Sequence, residues 1–145
     1  MDAASVFSRT LGIEVPLICG AMYPCSNPEL VAAVSAAGGI GVVQPLSLTY
    51  VHGYDFREGL RYIRRLTDRP IGVNLIVERS SRKYLERARQ WLEIALEEQV
   101  AFLVTAVGNP RGVVDRAGPA GVTVFHDVAG RGHALKALDG GVDGF

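Results

Sequence analysis

The residues best suited to chemistry in this chain sit where apolar runs give way to something small or polar. In "VPLICGAMYPCS", Gly20 and Ala21 leave the backbone amides open to a flat or anionic ligand, and a plain tight turn is the other reading of Gly20. In "IGVNLIV", Asn74 interrupts an apolar run, and burying its amide unpaired would cost roughly 1–3 kcal/mol. Asn74 therefore needs a ligand or neighbouring backbone as its partner, and both stay open. Another apolar run ends at "VGNP", and a further one at "VFHDV", where His126 and Asp127 are adjacent. On a strand those two side chains point to opposite faces, which argues against one catalytic pair. One of them can touch a ligand while the other is structural. His52 and His133 read as surface residues without a role.

Other chemistries leave no signature. The chain has no G-x-x-x-x-G-K-[ST] loop, no G-x-S-x-G elbow and no H-E-x-x-H pair. The glycines of "GGIGVV" precede an apolar run instead of following it, the wrong order for a dinucleotide fingerprint. Cys19 and Cys25 are too few for a disulfide framework, fit no zinc spacing, and read as two small hydrophobes beside a strand end. Basic and acidic residues balance at 15 each, so no positive field exists for nucleic acid. The first residues lack the basic start and apolar core of a signal peptide, and no apolar run is long enough to span a bilayer. The expectation is a cytoplasmic protein acting on a small molecule.

These positions need elements to hold them. Nearly continuous apolar runs occur at 15–19, 40–43, 71–77, 101–107 and 122–128, as expected of parallel strands buried on both faces. Between them the period shifts towards 3.6. Leu30, Val31, Val34 and Ala37 share a helical face, with a Ser26/Glu29 capping box and Gly38 as the stop. Phe56, Leu60, Ile63 and Leu66 mark a second helix behind an Asp55/Glu58 box, and Pro70 bars its continuation. Tyr84, Leu85, Ala88, Trp91, Leu92, Ala95 and Leu96 form the clearest stripe, predicted to pack on the sheet. Short helices are expected in "NPRGVVDRAG" and "GRGHALKALDGG", and "VDGF" reads as the start of a sixth strand. The alternation gives an α/β fold with a parallel sheet; pattern alone does not separate a doubly wound sheet from part of an eight-fold barrel.

The stretches "VPLICGAMYPCSNPELVAAVSAAGGIGVV", "LTDRPIGVNLIV", "AVGNPRG" and "VFHDVAGRGHALKALDGGVDG" together resemble the nitronate monooxygenase family, from about residue 11 to the end. The FMN-dependent enoyl-ACP reductases share much of this pattern. The resemblance implies an FMN-dependent TIM-barrel flavoprotein that oxidises alkyl nitronates with dioxygen to a carbonyl product and nitrite. It also implies a cofactor site in which Gly20, Ala21 and Met22 run along the isoalloxazine ring, Asn74 hydrogen-bonds the flavin, and His126 and Asp127 approach its polar edge. Two positions depart from the family pattern: Cys19 stands where a glutamine is usual, and Ala21 where a proline is frequent.

In relatives, the sixth strand leads to a glycine-rich segment with the histidine that handles the substrate, and the FMN phosphate rests on later loops. This sequence ends at Phe145, before those features. The expectation is therefore an incomplete (β/α)8 barrel over 1–145, about five βα units plus the start of a sixth strand, as one truncated domain. It would carry no catalytic residue of its own and would self-associate through open sheet edges. A FMN-dependent enoyl-ACP reductase relative and a non-catalytic, self-associating fragment are the alternatives.

Overall fold

A computed structural model describes residues 3–78 and 80–145. Strands β1 (Ile18–Cys19), β2 (Ile40–Val43), β3 (Ile71–Ile76), β4 (Phe102–Ala106) and β5 (Thr123–His126) alternate with helices. These are α1 (Ala3–Leu11), α2 (Pro28–Ala36), α3 (Phe56–Leu66), α4 (Arg82–Glu97), α5 (Arg111–Ala117) and α6 (Arg131–Asp139). The strands are all parallel and lie in the order β1-β2-β3-β4-β5. A doubly wound sheet reverses its strand order at a switch point. This one never reverses; it curls into half of a TIM barrel.

Side-chain alternation divides the molecule into two apolar layers. Val43, Ile71, Val73, Leu75, Leu103 and Val124 point outward, onto Val31 of α2, Leu60 and Ile63 of α3, Leu92 and Ala95 of α4, and Ala117 of α5. Helix α2 approaches the sheet closely at Gly41, where a Cβ would lie 2.3 Å from the Val31 carbonyl oxygen. Ile40, Val42 and Phe102 point inward and meet Leu11 and Ile13, with Phe7, Ala21, Val104 and Phe125 against them. Helix α1 thus fills the lower part of the concave face. The Phe7 ring lies 6.5 Å from that of Phe102 and 5.8 Å from that of Phe125.

Several elements differ from the pattern expected of the sequence. The run 15–19 yields only a two-residue strand. Pro16 has no N–H to donate, and the Leu17 N–H turns back to the Val15 carbonyl at 2.7 Å, so pairing with β2 begins late. Helix α2 is capped by Asn27, whose Oδ1 accepts from the Leu30 N–H at 2.7 Å, and not by Ser26. Asp55 caps α3 as expected, accepting from the Arg57 and Glu58 amides. Only Ala88, Leu92 and Ala95 of the α4 stripe are fully buried; Tyr84 is 48% exposed and Trp91 half-buried. A π-helical turn, Ser47–Val51, follows β2 where the periodicity shows nothing. The sixth strand begins as the sequence implies: Gly144 bridges Phe125 in parallel, and the His126 N–H reaches the Gly144 carbonyl at 3.1 Å.

Polar contacts lock the helix layer. Arg57 pairs with Glu97 and, at 2.8 Å, with Glu98, which also takes Arg61 at 3.0 Å. Burial pushes the Glu98 carboxyl up, but the hydrogen bonds and charges of Arg61 and Arg57 outweigh it and hold the group below its usual value. Among the described residues no helix is long and apolar enough to cross a membrane.

Candidate functional site

In a half-barrel the helices cover the outer face, α1 fills the bottom, and the carboxyl ends of the strands are left as an open mouth. A cavity of about 370 Å³ occupies that mouth. Ile18, Ile76, Val104 and Phe125 form its apolar walls, and Gly20, Ala21, Asn74 and Asp127 line it as well. Four of the residues expected to bind cofactor therefore converge on one concavity, although they come from three separate strand ends.

Each is held by a local cause. Gly20 is exposed, and a Cβ added there would meet nothing within 4 Å, so this loop leaves open space above the sheet. Ala21 is half-buried against the inner apolar layer. Beyond it the loop is buckled by Ser26, which is buried and accepts the Met22 N–H at 2.8 Å, while the Ser47 hydroxyl reaches the Met22 carbonyl at 3.4 Å. Met22 itself is 43% exposed and lies outside the cavity lining. That departs from its expected place along the ring; its main chain anchors the loop.

Asn74 points inward from β3 and is 7% exposed. Its Nδ2 donates to the Val104 carbonyl at 3.2 Å, and its Oδ1 accepts from Gln44 Nε2 at 3.2 Å. Gln44 in turn accepts the Leu46 N–H at 2.7 Å, which pins the loop after β2. A backbone carbonyl and the Gln44 amide thus partner Asn74, yet one of its two Nδ2 hydrogens stays available to a ligand. Gln44 carries the same sequence signal as Asn74, a polar amide closing an apolar run in "IGVVQP".

At the end of β5, Asp127 lines both the mouth and a neighbouring cleft, whereas His126 lines the cleft alone. Asp127 is exposed and is the one ionisable group among the cavity-lining residues. His126 points into that cleft, with His133 and Lys136 of α6, so the structure does not bring it to the mouth. Strand alternation is the reason. The imidazole is buried, its Nδ1 lies 2.8 Å from Thr105 Oγ1, and that hydroxyl donates to the Phe125 carbonyl at 3.1 Å. With the hydroxyl hydrogen committed, Nδ1–H is the donor and Nε2 the free acceptor. Burial lowers the His126 pKa, and the nearby Asp127 charge opposes this only in part, so the ring is neutral at physiological pH.

Val107, just beyond β4, adopts φ +58°. A β-branched residue in the left-handed region is strained, and this one lies between the mouth and the His126 cleft. No sequence signal marks it.

Chemically, the mouth can seat a flat apolar ring. It offers one amide donor, one carboxylate and glycine backbone at the edge, and no nucleophile. An isoalloxazine ring fits that donor set.

Comparison with known proteins decides the family. The sequence model of nitronate monooxygenase matches residues 4–145. The chain belongs to the nitronate monooxygenase family. It is 40% identical over 87 residues to a nitronate monooxygenase of Pseudomonas aeruginosa, covering 60% of this chain and 24% of that protein. It is 24% identical over 139 residues to a Rhodococcus jostii (3aS,4S,5R,7aS)-5-hydroxy-7a-methyl-1-oxo-octahydro-1H-indene-4-carboxyl-CoA dehydrogenase, covering 96% of this chain and 37% of the other. Among solved structures, FabK from Thermotoga maritima superposes with a TM-score of 0.78 at 28% identity, over 95% of this chain and 42% of that one. Nitroalkane oxidase from Streptomyces ansochromogenes shares the fold, with a TM-score of 0.76 at 22% identity over 90% of this chain and 45% of that one. This family member therefore spans less than half the length of the relatives it matches.

Proposed function

We propose that this chain forms the ring-facing half of an FMN site in an oxidoreductase that converts alkyl nitronates and dioxygen to a carbonyl compound and nitrite. The observation that carries the reading is the convergence of Gly20, Ala21, Asn74 and Asp127 on one concavity at the strand ends of a family member. When bound, FMN supplies the electron transfer and the reaction with dioxygen. The chain's own part is positional. The remaining Asn74 N–H would donate to a bound ring, the Asp127 carboxylate would accept from it, and Ile18, Ile76, Val104 and Phe125 would cover its apolar face. Gly20 lets the backbone come close. His126 serves as a neutral support beneath Asp127 and takes no part in the ring contacts.

Oxygen uptake and nitrite release with ethyl nitronate, without added nicotinamide, test this reading in FMN-loaded protein. The sequence pattern shared with the FMN-dependent enoyl-ACP reductases carries a second reading, an enoyl-ACP reductase-like protein. NADH-dependent reduction of a crotonyl thioester, with no response to nitronate, would establish it instead.

The same reading includes association between copies. Val15, Leu17 and Ile18 are each at least 40% exposed along the β1 edge, and Phe145 is 56% exposed beside β5. Apolar edges of this kind pair with others. Sedimentation velocity that shows only monomer across a wide concentration range would remove this part of the proposal.

A further inference from the structure

We propose that a second site, the cleft between α4 and the loop after β2, binds a small organic monoanion whose planar two-oxygen head pairs with Arg87. The cleft has a volume of about 500 Å³, and its lining includes Gln44, Tyr50, Asn74, Tyr84, Arg87 and Trp91. The Arg87 guanidinium carbon lies 5.5 Å, 5.0 Å and 4.9 Å from the ring centroids of Tyr50, Tyr84 and Trp91. Its Nη1 donates to the Tyr50 hydroxyl at 3.0 Å, whereas its Nε is buried with no acceptor. Arg57, Arg61, Arg69, Arg82, Arg111 and Arg116 each have a carboxylate within 4 Å; among the described residues Arg87 has none, as is also true of Arg9, Arg64, Arg65, Arg89 and Arg131, but only Arg87 is set among three aromatic rings.

Aromatic faces orient a guanidinium without neutralising it. What remains is a cation already fixed in its cleft, its Nε out of a ligand's reach and its two terminal nitrogens left to meet one, with open aromatic surface beside it: Tyr50 is 65% and Tyr84 48% exposed. A planar fork of N–H donors matches a planar two-oxygen anion, and the rings match an apolar body attached to it. Glu78 also lines the cleft, bonded to the Ser80 hydroxyl, and its charge disfavours multiply charged ligands such as phosphates. The class is therefore a carboxylate or an isostere of one. Asn74 lines both this cleft and the mouth cavity, so an anion held here would stand beside the proposed ring site. An alkyl nitronate has such a head, a link that rests on the function proposed above; the cleft itself does not depend on it.

Trp91 is the single tryptophan of the chain and reports the cleft directly, with no flavin present. The test is titration of the full chain with benzoate and, separately, with neutral benzamide. Benzoate is expected to change Trp91 emission saturably, and benzamide to bind at least about tenfold more weakly, a difference of about 1.4 kcal/mol. Arg87→Gln should reduce benzoate affinity to the benzamide level. Equal affinities for the two compounds, no saturable response to benzoate, or full retention of benzoate binding by a folded Arg87→Gln would each overturn the proposal. Should that variant fail to fold, the comparison of the two compounds on the unaltered chain decides alone.

Discussion

Replacing Asn74 with leucine tests the polar link at the heart of the mouth. Leucine keeps the branched outline of the asparagine side chain, so the change removes hydrogen bonds without opening a cavity, and its greater bulk can extend into the mouth that Asn74 lines. Two bonds go, from Nδ2 to the Val104 carbonyl and from Gln44 Nε2 to Oδ1. Gln44 is itself only 7% exposed, so its amide is left without a partner, at a cost of roughly 1–3 kcal/mol. At an ordinary denaturant slope for a domain of this size, that lowers the urea midpoint by about 1 M. Trp91 fluorescence can follow the unfolding. The double variant Asn74→Leu/Gln44→Leu removes both partners and should recover part of the loss, because an apolar pair leaves no orphan. What it does not recover is the bond from the Leu46 N–H to Gln44. An Asn74→Leu chain as stable as the original, or a double variant that costs the sum of the two single changes, would refute this reasoning.

Other positions yield sharper single outcomes. Burial holds His126 below its ordinary value of 6.5, so the unfolded chain takes up this proton first as pH falls. Stability should be full above about pH 6.5 and decline as pH drops from there through the lowered folded value, and His126→Asn should remove that part of the decline in urea midpoints measured across the range. Val107→Gly relieves roughly 1–2 kcal/mol of left-handed strain against roughly 0.5–1 kcal/mol of glycine entropy, for a net gain of about 0–1.5 kcal/mol visible as a higher Tm. Gly41→Ala sets a methyl against the Val31 carbonyl and should lower stability by about 1–3 kcal/mol in the same assay.

Much of the frame was legible in the chain. The apolar run 40–43 coincides with β2, and 71–77 overruns β3 by only one residue, because strands buried on both faces write continuous apolar segments. Strand order was not legible. It distinguishes the barrel from a doubly wound sheet, and it is a tertiary property that periodicity does not encode. Helix α1 escaped for a related reason: a nine-residue helix is held by Phe7 docking on Phe102 and Phe125, which are distant in sequence. Within the mouth, residue types pointed to Gly20, Asn74 and Asp127, while Met22 and His126 turned away because of loop buckling and strand alternation. The aromatic part of the α4 stripe read as core packing: Trp91 does pack on the core beside Phe56, and its ring, with that of Tyr84, also flanks Arg87. A periodicity argument counts Tyr84 and Trp91 as apolar and says nothing about a cation placed between them.

Flavin binding to the mouth is the direct test of the account. Gly20 is exposed, has open space around its Cβ position and shows no positive φ, so Gly20→Trp should fold normally while filling the cavity. Titration of FMN with the unaltered chain should quench flavin fluorescence saturably at one site per chain, and Gly20→Trp should abolish that quenching at an unchanged Tm. Absence of quenching by the unaltered chain, or equal quenching by both chains, would contradict the placement of the ring between the first loop, Asn74 and Asp127.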